Sequence, residues 1–151
     1  MIMARRRTSR KSRADRNYRL NEQIGFLMRV AMQRHTSIFM SRIIAGLTQT
    51  QFAALAKLRE AGPCSQNQLG RLIYLDAATT KGVVDRLKRR GFVTIAPDQL
   101  DRRRRAIALT ERGRVTADAA IKVARQITYQ TLTPLSEREQ KTVIGLLKKL
   151  T

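Results

Sequence analysis

One stretch of this chain breaks an otherwise helical rhythm. Apolar residues recur every three or four positions through most of the sequence, but between Phe92 and Leu109 the period changes to two. Phe92-Val93-Thr94-Ile95 and Ala106-Ile107-Ala108-Leu109 are rich in strand formers. Between them lies Pro97-Asp98-Gln99-Leu100-Asp101-Arg102-Arg103-Arg104-Arg105. Two short strands joined by a charged loop predict one hairpin with four consecutive arginines at its tip. The expected class is therefore mostly α with a small β-hairpin.

The helices around the hairpin carry written starts and stops. From Leu20 to about Ala45, the residues Leu20, Ile24, Leu27, Met28, Ala31, Ile38 and Phe39 form an apolar stripe. His35 and Arg42 fall on the same stripe, and titratable groups on a buried-looking face need a reason to be there. Thr48-Gln49-Thr50-Gln51 reads as a capping box, Phe52, Leu55 and Leu58 follow as one face, and Ala61-Gly62-Pro63 ends the helix. Ser65-Gln66-Asn67-Gln68 repeats the capping pattern ahead of Leu69, Leu72 and Ile73. Asp76 is a natural cap for a third helix, with Val83, Val84 and Leu87 as its apolar side and Gly91 as its stop. After Thr110 a long helix is expected from about Glu111 to Leu132, with Val115, Ala119, Val123 and Ile127 among its apolar positions. Thr133-Pro134 breaks it. Ser136-Glu137-Arg138-Glu139 opens the last helix, whose stripe is Val143, Leu146, Leu147 and Leu150.

Charge narrows the partners. The chain has 151 residues, enough for one domain or a small domain with helical extensions, and its net charge is +20. Such a surface attracts polyanions, nucleic acid above all. Residues 1–17 form a basic arm (Arg5, Arg6, Arg7, Arg10, Lys11, Arg13 and Arg16 against Asp15) expected to be mobile until bound. The longest uncharged run, Ile43 to Ala56, is too short to span a bilayer, and the N-terminus lacks the apolar stretch of a secretory signal. The expectation is a cytoplasmic, nucleoid-associated protein without membrane contact. One His, one Cys and no Gly-rich phosphate loop give no metal-ligand cluster, no cofactor motif and no supported nucleophile pair, so no enzymatic role is expected. Cys64, at a turn between helices, reads as an ordinary semi-buried cysteine rather than a redox switch.

Helix, helix, helix, basic hairpin is the layout of a winged helix-turn-helix. The third helix, about Ala77 to Arg90, is the recognition candidate. Its polar side offers Thr79, Thr80 and Lys81 near its N-terminal end, which suits entry into a major groove. Ser65 and Gln66, at the start of the supporting helix, and Arg86 complete the expected contacts outside the hairpin. Arginines of the run Arg102, Arg103, Arg104 and Arg105 suit the negative potential of a narrow minor groove. Asp98 and Asp101 are expected to brace neighbouring arginines by bidentate pairing.

Leu47 to Gly113 resembles the DNA-binding lobe of the MarR family, the multiple-antibiotic-resistance-type regulators. The resemblance rests on Leu47-Thr48-Gln49-Thr50-Gln51-Phe52, Leu69-Gly70-Arg71-Leu72, Val84-Asp85-Arg86-Leu87-Lys88-Arg89-Arg90-Gly91-Phe92-Val93, the loop Asp98 to Arg105, and Ile107-Ala108-Leu109-Thr110-Glu111-Arg112-Gly113. It implies a homodimer built from a first helix (18–46) and two last helices (111–151), flanking a winged lobe (47–110), and a pseudo-palindromic duplex as target. It also implies a wing of the form Asp-x-Arg-Asp-x-Arg. Asp98, Asp101 and Arg103 match, whereas Leu100 replaces the first arginine, so the arginine that enters the groove stays open among the four.

The same resemblance implies a repressor released by a small ligand. Gln33 to Phe39 is similar to the segment of members that answer aromatic or heteroaromatic acids. Independently, His35, Phe39 and Arg42 would offer an aromatic carboxylate a ring donor, an apolar wall and a cation. The competing reading is that His35 is a satisfied core or interface residue and that Arg42 pairs across the dimer. A second class of function is an architectural DNA binder without a ligand, and a third is RNA binding, which the low aromatic content of 5% disfavours.

Overall fold

The computed structural model describes residues 18–98 and 101–151. The expected arm at 1–17 lies outside the described residues, and so does Leu100, where the wing departs from the family pattern. The chain divides into two compact units, Met1–Arg34 and His35–Thr151.

In the first unit a single 3-10 turn, Leu20–Glu22, leads into helix α1, Ile24–Arg42, which continues past the boundary. The turn is held locally, by Gln23 Nε2 donating to the Arg19 carbonyl at 3.1 Å. The expected apolar stripe is present but uncovered in this unit: Ile24 is 65% exposed, and Leu20, Leu27 and Met28 are each about half exposed.

The second unit holds the core. Helix α2 (Gln49–Ala61) begins with the full capping box between Thr48 and Gln51 and ends at Gly62, whose φ of 79° is left-handed and suited to glycine. Helix α3 (Gln66–Leu72) is capped by Ser65 in one direction only, and is shorter than the sequence implies because Tyr74 takes a left-handed φ of 55° that ends it. Helix α4 (Ala77–Arg89) starts on Asp76, whose side chain accepts from Thr79 N–H. Gly91, at φ 73°, then turns the chain into strand β1 (Val93–Pro97). Strand β2 (Arg105–Leu109) pairs with it antiparallel, in the register Val93 with Leu109 and Ile95 with Ile107. The strands are thus displaced from the expected runs: Phe92 precedes β1 and is buried, while Pro97 and Arg105 are drawn in at the far end.

A third element joins the hairpin. Cys64 and Ile107 exchange both backbone bonds, at 3.2 and 2.8 Å, so the α2–α3 turn is stitched to β2. The Cys64 side chain is 4% exposed, and burial pushes its thiol up, away from the thiolate that redox chemistry needs.

Helix α5 (Glu111–Leu132) caps on Thr110 and helix α6 (Glu137–Leu147) on the Ser136–Glu139 box. The inward side of α5 is Gly113, Ala117, Ala120 and Ile127; of the expected series Ile127 is buried and Ala119 and Val123 are half-buried, but Val115 is 61% exposed. The reason is a close approach. A Cβ at Gly113 would lie 1.9 Å from the Phe92 carbonyl oxygen, so the helix rotates its small residues toward the lobe. A similar approach sets α3 on α4, where a Cβ at Gly70 would meet Thr80 Oγ1 at 2.9 Å. Leu47, Leu55, Leu58, Leu69, Val83, Val84, Leu87, Phe92 and Ile107 close the core. No residue of α6 is buried.

Candidate nucleic-acid interface

Helix α4 owes its orientation to its inner side. Val83, Val84 and Leu87 are buried, and the turn before it is pinned by Leu75 N–H donating to Gly70 O at 2.9 Å. Thr80 belongs to that inner side. It precedes Val83 and Val84 by three and four residues, is 0% exposed, and donates its hydroxyl to the Asp76 carbonyl at 2.7 Å. The expectation that Thr80 meets DNA is therefore corrected: its side chain packs α4 against Gly70.

Thr79 and Lys81 do face solvent. Thr79 donates its hydroxyl to Asp76 Oδ2 at 2.7 Å, and this bond, with the backbone bond from Thr79, holds the Asp76 carboxyl below the usual carboxylate range. Lys81 pairs with Asp85 at 2.7 Å; the bond lowers the Asp85 carboxyl. Both partners are largely exposed, so solvent screens the pair and it is readily exchanged for a phosphate. Arg86 is exposed, with its guanidinium folded back over Gly82. Ser65 and Gln66 are half-buried at the start of α3, and the Ser65 hydroxyl is taken up by Gln68 N–H at 3.2 Å.

The wing presents Arg102, Arg103, Arg104 and Arg105, all exposed. The carboxylates beside them also hold the loop backbone. Asp98 Oδ1 accepts from Asp101 N–H at 3.1 Å, and Asp101 Oδ1 from Arg103 N–H at 3.0 Å, so they shape the loop backbone. Asp101 Oδ2 is also 3.4 Å from Arg104 Nε, a contact through one nitrogen rather than a bidentate fork. Asp98 N–H donates to Arg104 O at 2.8 Å, which closes the hairpin beyond the last strand pair. These bonds give the arginine run a fixed root while leaving its guanidinium groups in solvent.

Of the three residues proposed for a ligand, His35 and Phe39 lie with ring centroids 6.3 Å apart, and Arg42 follows about two turns after His35 on α1. His35 Nδ1 is 2.9 Å from Thr131 Oγ1 of α5. Phe39 is 3% exposed and lies 6.0 Å, centroid to centroid, from the ring of Phe52, so it is core rather than an open wall. Arg42 donates from Nε to Gln130 Oε1 of the same chain. Its guanidinium also borders a cleft of about 310 Å³ with Gln126, Tyr129, Gln130 and Thr133. A cation, an amide pair, a hydroxyl and an exposed aromatic ring converge there, and none of Gln126, Tyr129 or Thr133 carries a local sequence signal. Helical spacing within α5 could have joined Gln126 to Tyr129, Gln130 and Thr133, but not to Arg42 on another helix.

Residues 47–104, the span of α2 to the wing, match the MarR family. The transcriptional repressor NicR of Pseudomonas putida is 42% identical over 134 residues, which are 88% of this chain and 85% of that protein. The chain belongs to the MarR family. It is a DNA-binding transcription regulator with a winged helix-turn-helix lobe. Among solved structures, a probable transcriptional regulator from Pseudomonas aeruginosa superposes with a TM-score of 0.84 at 50% identity, over 88% of this chain and all of that one. Bordetella bronchiseptica BpsR, whose DNA binding is regulated by 6-hydroxynicotinic acid, superposes with a TM-score of 0.83 at 37% identity, over 89% of this chain and 96% of that one. Among the described residues of this MarR-family chain, no helix is long and apolar enough to cross a membrane.

Proposed function

We propose that this regulator is a cytoplasmic, nucleoid-bound homodimeric repressor that releases a pseudo-palindromic operator when a heteroaromatic carboxylate binds. The observation that carries the ligand is the cleft at Arg42. Its guanidinium suits a carboxylate, and Tyr129, 71% exposed beside it, suits a flat ring. The likeness to BpsR and NicR supports an acid of that class. His35 and Phe39 then act behind the site, through Thr131 and Phe52, rather than as its walls.

Thr79, Lys81 and Arg86 read the major groove, Ser65 and Gln66 touch the backbone, and Asp101 aligns the wing arginines Arg102 to Arg105 over the minor groove. Dimerisation is supported by the uncovered stripe of α1 and by Leu146 and Leu147 of α6, about half exposed in a single chain. Twofold symmetry would match two half-sites about one helical turn apart.

Calorimetry with 6-hydroxynicotinic acid tests the ligand. Binding by the unmodified protein that is lost in Arg42→Ala and kept in His35→Ala is expected. Binding kept in Arg42→Ala would move the site elsewhere.

A further inference from the structure

The residue that ends α4 has more to do than stop a helix. Arg90 is the cap residue after Arg89, and its guanidinium reaches back to the connection between α1 and α2. It donates to the Ala45 carbonyl, to Gly46 O at 3.4 Å and to Gln51 Oε1 at 3.2 Å. Ala45 and Gly46 sit side by side in the left-handed region, at φ 56° and 55°. For alanine that backbone is strained, so something outside the connection must hold it. Gln51 is the capping-box residue of α2: the same Oε1 also accepts from Thr48 N–H at 3.2 Å, and the side chain is 5% exposed. Arg90 therefore grips the strained connection and the start of the next helix with one planar fork.

The same guanidinium lies 4.8 Å from the centre of the Phe92 ring. Phe92 is buried at the root of the wing, and Arg112, from the first turn of α5, lies 5.1 Å from the same ring. One side chain thus ties three things: the connection three residues beyond Arg42, the end of the helix that faces the major groove, and the base of the wing. A guanidinium meets such geometry because it is planar, carries five fixed donors and stacks on aromatic faces; an ammonium does not.

We propose that Arg90 is a positioning residue for operator recognition, setting α4 and the wing against the α1–α2 connection without touching DNA. The rival account is that Arg90 is one more phosphate contact in a basic protein. The two accounts differ for a lysine, which keeps the charge and loses the fork. They differ again for Gln51, which is buried and cannot reach a phosphate.

The test uses a duplex selected from a random pool by the unmodified full chain and a scrambled duplex, both titrated by anisotropy at several salt concentrations. Arg90→Lys is expected to cut the selected-to-scrambled ratio at least ten-fold, with scrambled binding and its salt slope held. Gln51→Met, close in volume, is expected to do the same, and the double variant to lose little more than either alone. A ratio kept within two-fold in Arg90→Lys overturns the proposal. So does a loss for Arg90→Ala that falls equally on both duplexes with the salt slope reduced by about 1, the signature of a phosphate contact. If Gln51→Met fails a thermal-unfolding check, Arg90→Lys decides alone.

Discussion

The winged lobe and helix α6 are made of similar residues and treat them in opposite ways. In the lobe, Leu47, Leu55, Leu69 and Leu87 are fully buried within one chain, and even the polar Thr80 and Gln51 are sealed in with partners. In α6, Ile144, Leu146 and Leu147 lie on a well-capped helix with nothing buried. Both elements form for the same local reasons, a capping box and apolar residues at helical spacing. The difference lies in what covers them. At about 25 cal/mol per Å² of apolar surface, the lobe collects its hydrophobic stabilisation within one chain, whereas the apolar residues of α6 stay exposed in the single chain. Reading DNA requires a shape fixed before binding; assembling a dimer requires a face left open.

Two glycines break or sharpen that contrast most strongly. Gly113→Ala puts a methyl into the Phe92 carbonyl and is expected to destabilise the lobe by about 3 kcal/mol or more in thermal or urea unfolding, at or beyond the upper end of ordinary overpacking. Gly145→Ala on α6 meets nothing within 4 Å in the single chain, and a better helix former there should add about 0.5–1 kcal/mol. A loss at Gly145 comparable with that at Gly113 would mean that a partner packs directly on it.

A paired insertion of a charge probes the same contrast. Leu69→Asp should unfold the protein, because a buried carboxylate has no partner there. Leu147→Asp should leave a folded lobe and halve the mass seen by sedimentation. A Leu147→Asp protein that keeps the parent mass would remove α6 from the dimer surface.

The wing gives a smaller effect of counterintuitive sign. Removing a negative charge near phosphates should tighten binding if charge alone mattered. Asp101 instead anchors the Arg103 backbone and pairs with Arg104, so Asp101→Ala is expected to weaken operator binding several-fold. Tighter binding would show that the loop needs no anchor.

The smallest effect is at Asp76. Its carboxyl is held below the usual range by Thr79, so the stabilisation it gives is complete above the unfolded carboxylate value, near pH 4, and is lost as pH falls through the lower folded value. The cost of Asp76→Ala, read by urea unfolding, should be constant from pH 5 to 8 and should shrink below pH 4.

Local chemistry made much of the molecule legible. Thr48, Asp76 and Ser136 cap where their side chains and spacing say they should, and the single change of period locates the hairpin. What the sequence hid involves contacts between elements distant in the chain. Thr80 neighbours the outward Thr79 in sequence, although its three- and four-residue spacing to Val83 and Val84 marks it as inner. Val115 reads as inward because nothing local reports the approach of Gly113 to Phe92. The bonds from Cys64 to Ile107 and from Arg90 to Ala45 span more than forty residues each, and neither leaves a trace in periodicity. The cleft at Arg42 escaped for the same reason, since its other walls come from α5.

The basic lobe is built to read sequence rather than charge. Titration of the purified protein into an inverted repeat selected from a random pool and into scrambled DNA, at one physiological salt concentration, tests it most directly. A preference of roughly three decades or more for a short inverted repeat is the predicted result. Equal affinity for an inverted repeat selected from a random pool and for scrambled duplex would contradict it and leave an architectural DNA-binding protein.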